Sequence, residues 1–434
     1  MINATTLSVK VAELRNTVVD QTFKGIPLGR SMRLSGIVDQ EWNVCRGDLA
    51  LPVTTLTESA VSSNLATMAQ YCARNGVRIA PHGKTTMAPQ LFARQFEHGA
   101  WAMTAATPTQ VSVMRQFGVP RIILANELVD ANALRWVAHE LSDDPSFEFY
   151  CLVDSAHTVQ LMSEALKSSG TDVSIPVLIE IGLQEGRAGV RSLDEVLLVA
   201  EEVRQSSRLR LVGVEAYEGL VTSGVSEEDL NAVNAFFAGM REALVALAER
   251  DLFESDEIII TAGGSSYFDR VVAELSKWPE VSKDVSLILR SGCYVSHDGG
   301  KYEALSPLAG RRPVGETLSL VNGLTAWASV LSRPQPDLAI LGIGKRDVSF
   351  DISLPAPRRI FRRDGSETDL KGHSEMFRLM DQHAFIRIDP ELCLDPGDIV
   401  SMDLSHPCTA FDKFKLLPVI SDDHTVVDAV LTFF

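Results

Sequence analysis

Short apolar runs alternate with longer amphipathic stretches along the chain from about residue 48. The runs are rich in β-branched residues, and the stretches between them, such as Ala156 to Lys167, repeat their apolar positions at spacings of three and four. Eight such runs within about 250 residues fit a (β/α)8 TIM barrel better than an open doubly wound sheet. The predicted strands are residues 77–80, 101–106, 121–126, 147–153, 177–181, 211–217, 257–261 and 285–290.

The pattern changes after Tyr302, where strand-like segments such as Thr317 to Ala328 lie between turns that contain proline and glycine. We therefore predict an α/β chain with a barrel over residues 48–302 and a mostly β domain over residues 303–434. The first barrel helix is predicted over Leu56 to Asn75. Residues 1–47 form an N-terminal extension that we expect to pack on the outside of one domain.

The composition is that of an ordinary globular protein, with 45% hydrophobic and 22% charged residues. A formal net charge of −17 argues against a nucleic-acid partner, which requires a basic surface. The N-terminal residues mix charges into apolar positions, and no stretch of about 18 apolar residues occurs, so we expect neither a signal peptide nor a membrane span. We expect a cytoplasmic protein whose six cysteines, none in a CxxC pair, are thiols or metal ligands.

Two segments at the predicted mouth of the barrel suggest a cofactor. Lys84 follows the first strand, where partial burial would favour a nucleophilic amine, although a solvated loop lysine would fit the same place. Glycines and hydroxyl groups follow strands seven and eight, where this fold builds phosphate sites, although a Gly-Gly pair is also common in plain turns. Together they favour pyridoxal 5'-phosphate. The residues predicted to bind its phosphate are Gly263, Gly264, Ser265, Gly292 and Tyr294.

A set of ordered motifs resembles the D-serine dehydratase and D-threonine aldolase family, fold-type III pyridoxal-phosphate enzymes built like alanine racemase. The motifs are Pro81-His82-Gly83-Lys84-Thr85, Gly186-Arg187-Ala188-Gly189-Val190, Gly263-Gly264-Ser265 and His406-Pro407-Cys408. The resemblance implies that Lys84 holds the cofactor as a Schiff base and that Arg187 faces the pyridine nitrogen.

By the same resemblance Tyr217 lines the pocket as a second catalytic residue, and His82 lies near the cofactor. From the residues alone, Arg187 could equally be a surface cation and Tyr217 a core aromatic. The chain departs from the common family pattern at Ala262, where a third glycine is usual, and at Glu218, where histidine is frequent.

His406 and Cys408 form the second candidate site. On an extended segment, residues two apart share a face, and an imidazole with a thiolate suits Zn²⁺, although a histidine beside a buried thiol is a simpler explanation of the pair. The resemblance implies a zinc site with only these two protein ligands, the open positions being those that Lewis-acid catalysis requires. It also suggests that His383 orients the metal or the substrate.

The resemblance implies a zinc-dependent ammonia-lyase that converts D-serine, or a related β-hydroxy-D-amino acid, to a 2-oxo acid and ammonia. Lys84 would take the Cα proton, and the metal would help hydroxide to leave. The main alternative is an aldolase that cleaves D-threonine or 3-hydroxy-D-aspartate. An amino-acid racemase and a noncatalytic pyridoxal-phosphate carrier are further alternatives, against which the metal motif and the β domain argue. The resemblance also implies a homodimer.

Overall fold

The computed structural model describes residues 5–277 and 283–434 and falls into two compact units. The first unit consists mainly of residues 69–84 and 95–292. The second consists of residues 7–68, 85–94 and 293–434, so it takes in segments from both ends of the chain. The domain boundaries at residues 47/48 and 302/303 stay predictions.

The sheet of the first unit is a ring of eight parallel strands within the described residues. From the second strand to the eighth each pairs with the next along the chain, and the eighth pairs with the first. Two hydrogen bonds join the first strand to the second, from Trp101 N–H to Ile79 O at 2.7 Å and from Thr104 N–H to Pro81 O at 2.8 Å. The predicted barrel is thereby confirmed. Its strands are Arg78–Ile79, Met103–Ala105, Arg121–Glu127, Glu148–Val153, Ile175–Ile181, Leu209–Ala216, Glu257–Ala262 and Asp284–Leu289.

The interior of the barrel is filled by side chains rather than by a channel. One apolar residue from each strand or its immediate flank enters a single buried cluster, consisting of Ala80, Ala102, Ile123, Leu152, Leu178, Val212, Ile259 and Ile288. Because all eight strands are parallel, their carboxyl ends lie at the same end of this core. The loops that leave those ends are where barrel enzymes place their chemistry.

Helices connect the strands in the way that the apolar spacing predicts. In Ala156–Lys167 the buried apolar residues are Val159, Met162 and Leu166, at spacings of three and four, and the Ser155 hydroxyl caps the first turn. No helix in the described ranges is both long and apolar enough to span a membrane. The longer helices are Thr5–Leu14, Glu58–Asn75, Pro89–Glu97, Pro108–Gln116, Ala131–Asp143, Ala156–Lys167, Leu193–Gln205, Glu227–Glu249 and Phe268–Leu275, and two short ones are Lys301–Leu305 and Cys408–Phe411.

The second unit is a mostly antiparallel β domain. Its long strand Leu324–Gln335 pairs on one side with Ile399–Asp403 and on the other with Val53–Thr57 near its start and Leu338–Leu341 near its end. The buried Trp327 indole donates a hydrogen bond to the Thr55 hydroxyl at 2.8 Å. The remaining strands are Val18–Asp20, Ser31–Arg33, Ala356–Phe361, Glu367–Asp369, Ser374–Leu379, Ala384–Ile388, Leu416–Ile420 and Val426–Leu431.

The N-terminal segment contributes to the core of this β domain. Val19, Ile26 and Ile37 are almost completely buried in one cluster with Trp327. Two predicted boundaries are wrong. Leu56 belongs to the strand Val53–Thr57, because its β-branched neighbours favour an extended backbone, and the helix begins at Glu58. The strand predicted from Thr317 begins only at Leu324.

Candidate active site

Lys84 lies beyond the first barrel strand, in the short 3-10 helix Gly83–Thr85. Its side chain is half-buried, and its amine has no hydrogen bond or ion pair within the described part of the chain. His82, two residues earlier, has a buried Nδ1 with no hydrogen-bond partner among the residues that the structure describes. Burial, and then the charge of Lys84, hold the pKa of His82 well below its ordinary value, so the imidazole is neutral. The role of Lys84 as the residue that attaches the cofactor stays a prediction.

Arg187 and Tyr217 come together after strands five and six. The guanidinium carbon of Arg187 lies 5.3 Å from the centre of the Tyr217 ring, a cation–π distance. Arg187 also forms an ion pair with Glu180 at 3.4 Å, although more than half of the arginine side chain is exposed. Glu180 is buried in strand five and thus fixes one end of this contact.

Glu127, at the end of strand three, shares a side-chain hydrogen bond with the buried Glu180 of strand five. Burial raises the pKa of Glu127 to about 8, and the negative charge of Glu180 adds to the effect. Near neutral pH Glu127 therefore holds a proton that hydrogen-bonds to the neighbouring carboxylate.

We expect Glu127→Gln to flatten the pH dependence of stability. In the folded state Glu127 binds its proton more tightly than in the unfolded chain, so folding stability falls as pH rises from about 4.5 to about 8. Glutamine cannot ionise, so the variant should gain melting temperature relative to wild type across this window. Thermal unfolding at several pH values measures the effect. Glu164→Gln, at an exposed helix position, is the control, and a parallel shift of the two variants would contradict the prediction.

The predicted phosphate turn Gly263-Gly264-Ser265 is held from two sides. Oε1 of the fully buried Glu218 accepts the Gly264 N–H at 2.8 Å, and the Ser291 hydroxyl donates to the Gly264 carbonyl at 2.8 Å. A Cβ at Gly264 would lie 3.1 Å from Tyr217 Cε2, closer than an ordinary van der Waals contact, so glycine avoids crowding against the tyrosine ring. Burial raises the pKa of Glu218.

These features fit pyridoxal phosphate. The amine of Lys84, the unpartnered Nδ1 of His82 and the side-chain-free turn at Gly264 provide the groups that an aldehyde, a polar ring and a phosphate need. Gly292 follows Ser291 at the end of the first unit, whereas Tyr294 is buried in the second unit. The predicted roles of the Gly263-Gly264-Ser265 turn, Gly292 and Tyr294 in binding the phosphate stay predictions.

A buried ion pair supports this end of the barrel. Arg290, at the end of strand eight, pairs with Glu215 of strand six and also donates to the Thr261 hydroxyl and the Ala216 carbonyl, each at 3.0 Å. Burial raises the pKa of Glu215 to about 7, and Arg290 opposes that rise.

We expect Arg290→Leu to lower the free energy of unfolding by about 3 to 5 kcal/mol at alkaline pH, because it leaves the Glu215 carboxylate buried without its counterion. Arg78→Leu removes an exposed ion pair to Glu257 in the same barrel and should cost at most about 1 kcal/mol. Urea unfolding of both variants measures the difference. Equal losses would contradict the assignment of Arg290 as a buried structural charge.

The second candidate site lies within the second unit, around His406. Its Nδ1 is 2.5 Å from Asp351 Oδ2, and Asp351 Oδ1 accepts the Thr409 hydroxyl at 2.7 Å. The backbone of His406 has a φ of 64°, and its N–H donates to Asp298 at 2.8 Å. A carboxylate that hydrogen-bonds to one ring nitrogen and so orients the imidazole is an arrangement found around metal-binding histidines.

Cys408 lies beside His406 and contacts a second thiol. Its Sγ is 3.6 Å from Cys293 Sγ and 3.3 Å from the Thr85 hydroxyl. The hydrogen bond from Cys293, together with those from His406 and Thr85, outweighs burial and holds the pKa of Cys408 well below its ordinary value. Cys408 therefore favours the thiolate, the form that binds metals.

His406 and Cys408 fit a zinc ion as donors, with Asp351 as the partner that orients the imidazole. No group of three or more His, Cys, Asp or Glu side chains that could hold a metal occurs among the residues described. His383 is exposed before the strand Ala384–Ile388, and its orienting role stays a prediction.

Sequence comparison relates the chain to enzymes named for D-amino acid substrates. A family model described as "Putative serine dehydratase domain" matches residues 323–420. The chain is 24% identical over 372 residues to D-threonine aldolase of Arthrobacter sp, covering 86% of this chain and 89% of that protein. It is 25% identical over 355 residues to 3-hydroxy-D-aspartate aldolase of Paracoccus denitrificans, with coverages of 81% and 85%.

Solved structures share the fold. D-threonine aldolase from Filomicrobium marinum superposes with a TM-score of 0.72 at 23% identity, covering 89% of this chain and 95% of that one. A His-to-Ala mutant of D-threo-3-hydroxyaspartate dehydratase gives 0.72, and a Cys-to-Ala mutant in the metal-free form gives 0.70, each at 18% identity over at least 90% of both chains. The chain is therefore similar over most of its length to enzymes named D-threonine aldolase and 3-hydroxy-D-aspartate aldolase, which supports the resemblance to the D-serine dehydratase and D-threonine aldolase family, and it has the alanine racemase-like fold.

Proposed function

We propose that the chain is a pyridoxal-phosphate- and zinc-dependent lyase that removes the β-hydroxyl group of a β-hydroxy-D-amino acid, giving a 2-oxo acid and ammonia. The observation that carries this proposal is the His406–Asp351 contact beside Cys408, which provides an oriented imidazole and a thiolate for one metal. The histidine and cysteine replaced in the two dehydratase mutants also lie two positions apart, and the cysteine mutant is metal-free. This parallel supports elimination.

Residues of the first unit are proposed to bind different parts of the cofactor. Lys84 is proposed to attach it covalently and then to move the proton at Cα of the substrate. Arg187 is proposed to face the ring nitrogen, held by Glu180 and by the ring of Tyr217. The Gly264 turn is proposed to receive the phosphate. When bound, pyridoxal phosphate supplies the electron sink that makes loss of the Cα proton feasible.

The residues of the second unit are proposed to act on the leaving group. His406 and Cys408 would hold the metal, and Asp351, in contact with Nδ1, would orient the imidazole. When bound, zinc supplies Lewis-acid assistance to the departing hydroxyl group. Cysteine at position 408 selects zinc over magnesium or manganese, which prefer oxygen ligands.

Retro-aldol cleavage is the second candidate. Both curated relatives are aldolases by name, so the sequence comparisons favour carbon–carbon cleavage over the dehydration of D-serine expected from the sequence. Cleavage needs a base on the β-hydroxyl proton instead of assistance to the leaving oxygen. The thiolate at Cys408 and the dehydratase mutants favour elimination, and the products decide between the two reactions.

The test is a product assay on D-serine, D-threonine and both diastereomers of 3-hydroxy-D-aspartate, with the L-enantiomers as controls. Elimination yields ammonia and a 2-oxo acid, pyruvate in the case of D-serine. Glycine with an aldehyde or glyoxylate, and no ammonia, would assign the aldolase reaction instead. Turnover of either kind with bound cofactor excludes a noncatalytic carrier, and interconversion of enantiomers without ammonia or glycine would indicate a racemase.

We also propose that the enzyme is a homodimer, on the family resemblance that completes each site with the β domain of a neighbouring subunit. Light scattering at the assay concentration should give twice the chain mass of 47.4 kDa. An active monomer would contradict this proposal.

A further inference from the structure

The thiols of Cys293 and Cys408 form a contact that the proposed function does not use. Both residues belong to the second unit, and their sulfur atoms are 3.6 Å apart. The Thr85 hydroxyl lies 3.3 Å from Cys408 and 3.9 Å from Cys293, so it approaches both sulfurs. Cys293 follows Gly292 at the end of the barrel, 115 positions before Cys408, so only folding brings them together.

We propose that a peroxide oxidises Cys293 and Cys408 to a disulfide. A disulfide has a sulfur–sulfur distance of about 2.05 Å, so the two sulfur atoms need to approach each other by about 1.5 Å. Cysteine pairs of this kind in a reducing compartment are typically transient and responsive to oxidants.

Oxidation of the Cys293 and Cys408 thiols to one disulfide consumes one molecule of hydrogen peroxide. The Cys408 sulfur, the less buried of the two, attacks one oxygen of hydrogen peroxide, the O–O bond breaks, and the products are Cys408 sulfenic acid and water. The Cys293 thiol then attacks the oxidised sulfur, the S–S bond forms, and the second oxygen leaves as water. Two thiols have lost two electrons and two protons, and both peroxide oxygens have been reduced.

The consequence concerns the zinc ligand. A disulfide sulfur lacks the thiolate charge, so oxidised Cys408 no longer binds metal. Cys293 also acts as a resolving thiol, because it captures the sulfenic acid before oxidation to the sulfinic acid, which thiols do not reverse. Formation of the disulfide does not depend on the proposed function, whereas the effect on zinc does.

The experiment treats the purified full-length protein with hydrogen peroxide, with and without one equivalent of zinc. Unreduced peptide mapping should show residues 293 and 408 in one cross-linked pair, lighter by two hydrogens, and bound zinc should protect the thiols. Dithiothreitol should then restore both thiols and zinc binding. A cross-link in a protein that never binds zinc would support the disulfide and contradict the metal proposal alone.

Two variants test whether Cys293 reacts with oxidised Cys408 or only lies close to it. In Cys293→Ser, peroxide should drive Cys408 to the sulfinic acid, and dithiothreitol should not recover zinc binding; Cys293→Ala serves if the serine variant folds poorly. Cys72→Ser removes another buried thiol and should behave as wild type. Irreversible oxidation of Cys408 in wild type without any 293–408 cross-link, or full recovery of Cys293→Ser, would overturn the proposal.

Discussion

Lys84→Ala should lose covalent attachment of pyridoxal phosphate and about 10⁴-fold or more of its activity. The lysine amine has no other partner among the described residues, and in the proposed reaction it serves both as the attachment point and as the base at Cα. General-base catalysis alone contributes about 10² to 10⁴-fold. After borohydride reduction of the wild-type protein, peptide mapping should find the cofactor mass on the peptide that contains Lys84.

Lys167→Ala is the matched control, because Lys167 ends a barrel helix at an exposed position. It should keep both the reducible label and the activity. Reduction that labels another lysine in the Lys84→Ala protein, at wild-type stoichiometry, would show that Lys84 is not the attachment point.

His406→Ala and Cys408→Ser should each lose the metal and reduce elimination by about a hundredfold or more. Lewis-acid assistance is worth several kcal/mol, and each 1.4 kcal/mol corresponds to a tenfold change in rate. The cofactor label on Lys84 should remain, because the proposed attachment residues belong to the first unit. Zinc content by atomic absorption and ammonia release measure the two effects separately.

Asp351→Asn gives an intermediate test of the same site. It should weaken zinc binding by about 10- to 100-fold, since the carboxylate orients the His406 imidazole without binding the metal itself. Full elimination activity in carefully metal-depleted wild-type protein would contradict the metal assignment, whatever these variants do.

The barrel was predictable from sequence because each buried strand leaves a short β-branched run between amphipathic helices. Leu178 and Ile259, for example, lie in apolar runs of strand length that are too short for a buried helix. Leu56 was misplaced because an apolar residue at the join of a strand and a helix satisfies both patterns. The Lys84 and His406 segments are identified by their motifs. A motif indicates the chemistry of its own residues, but it does not show which distant residues contact and orient them.

Those supporting groups depend on tertiary contacts. Asp351 is 55 positions from His406, and Cys293 is 115 positions from Cys408, in segments without a repeating pattern. Glu218 was visible only as a departure from the family pattern, and its hydrogen bond to the phosphate turn requires two separate strands to meet. Local sequence patterns do not show which of these distant residues come into contact.

The use of both chain ends in the β domain has a consequence for synthesis on the ribosome. Strand Val53–Thr57 is made before barrel residues 95–292, but its partners Leu324–Gln335 and Leu416–Ile420 are made only after them. Barrel residues 95–292 are made between these strands, so the barrel can fold before the β domain does. During that time apolar side chains such as Val19 and Ile26 lack the buried cluster into which they later pack. A nascent chain must therefore keep its N-terminal segment from aggregating until these partner strands have been made.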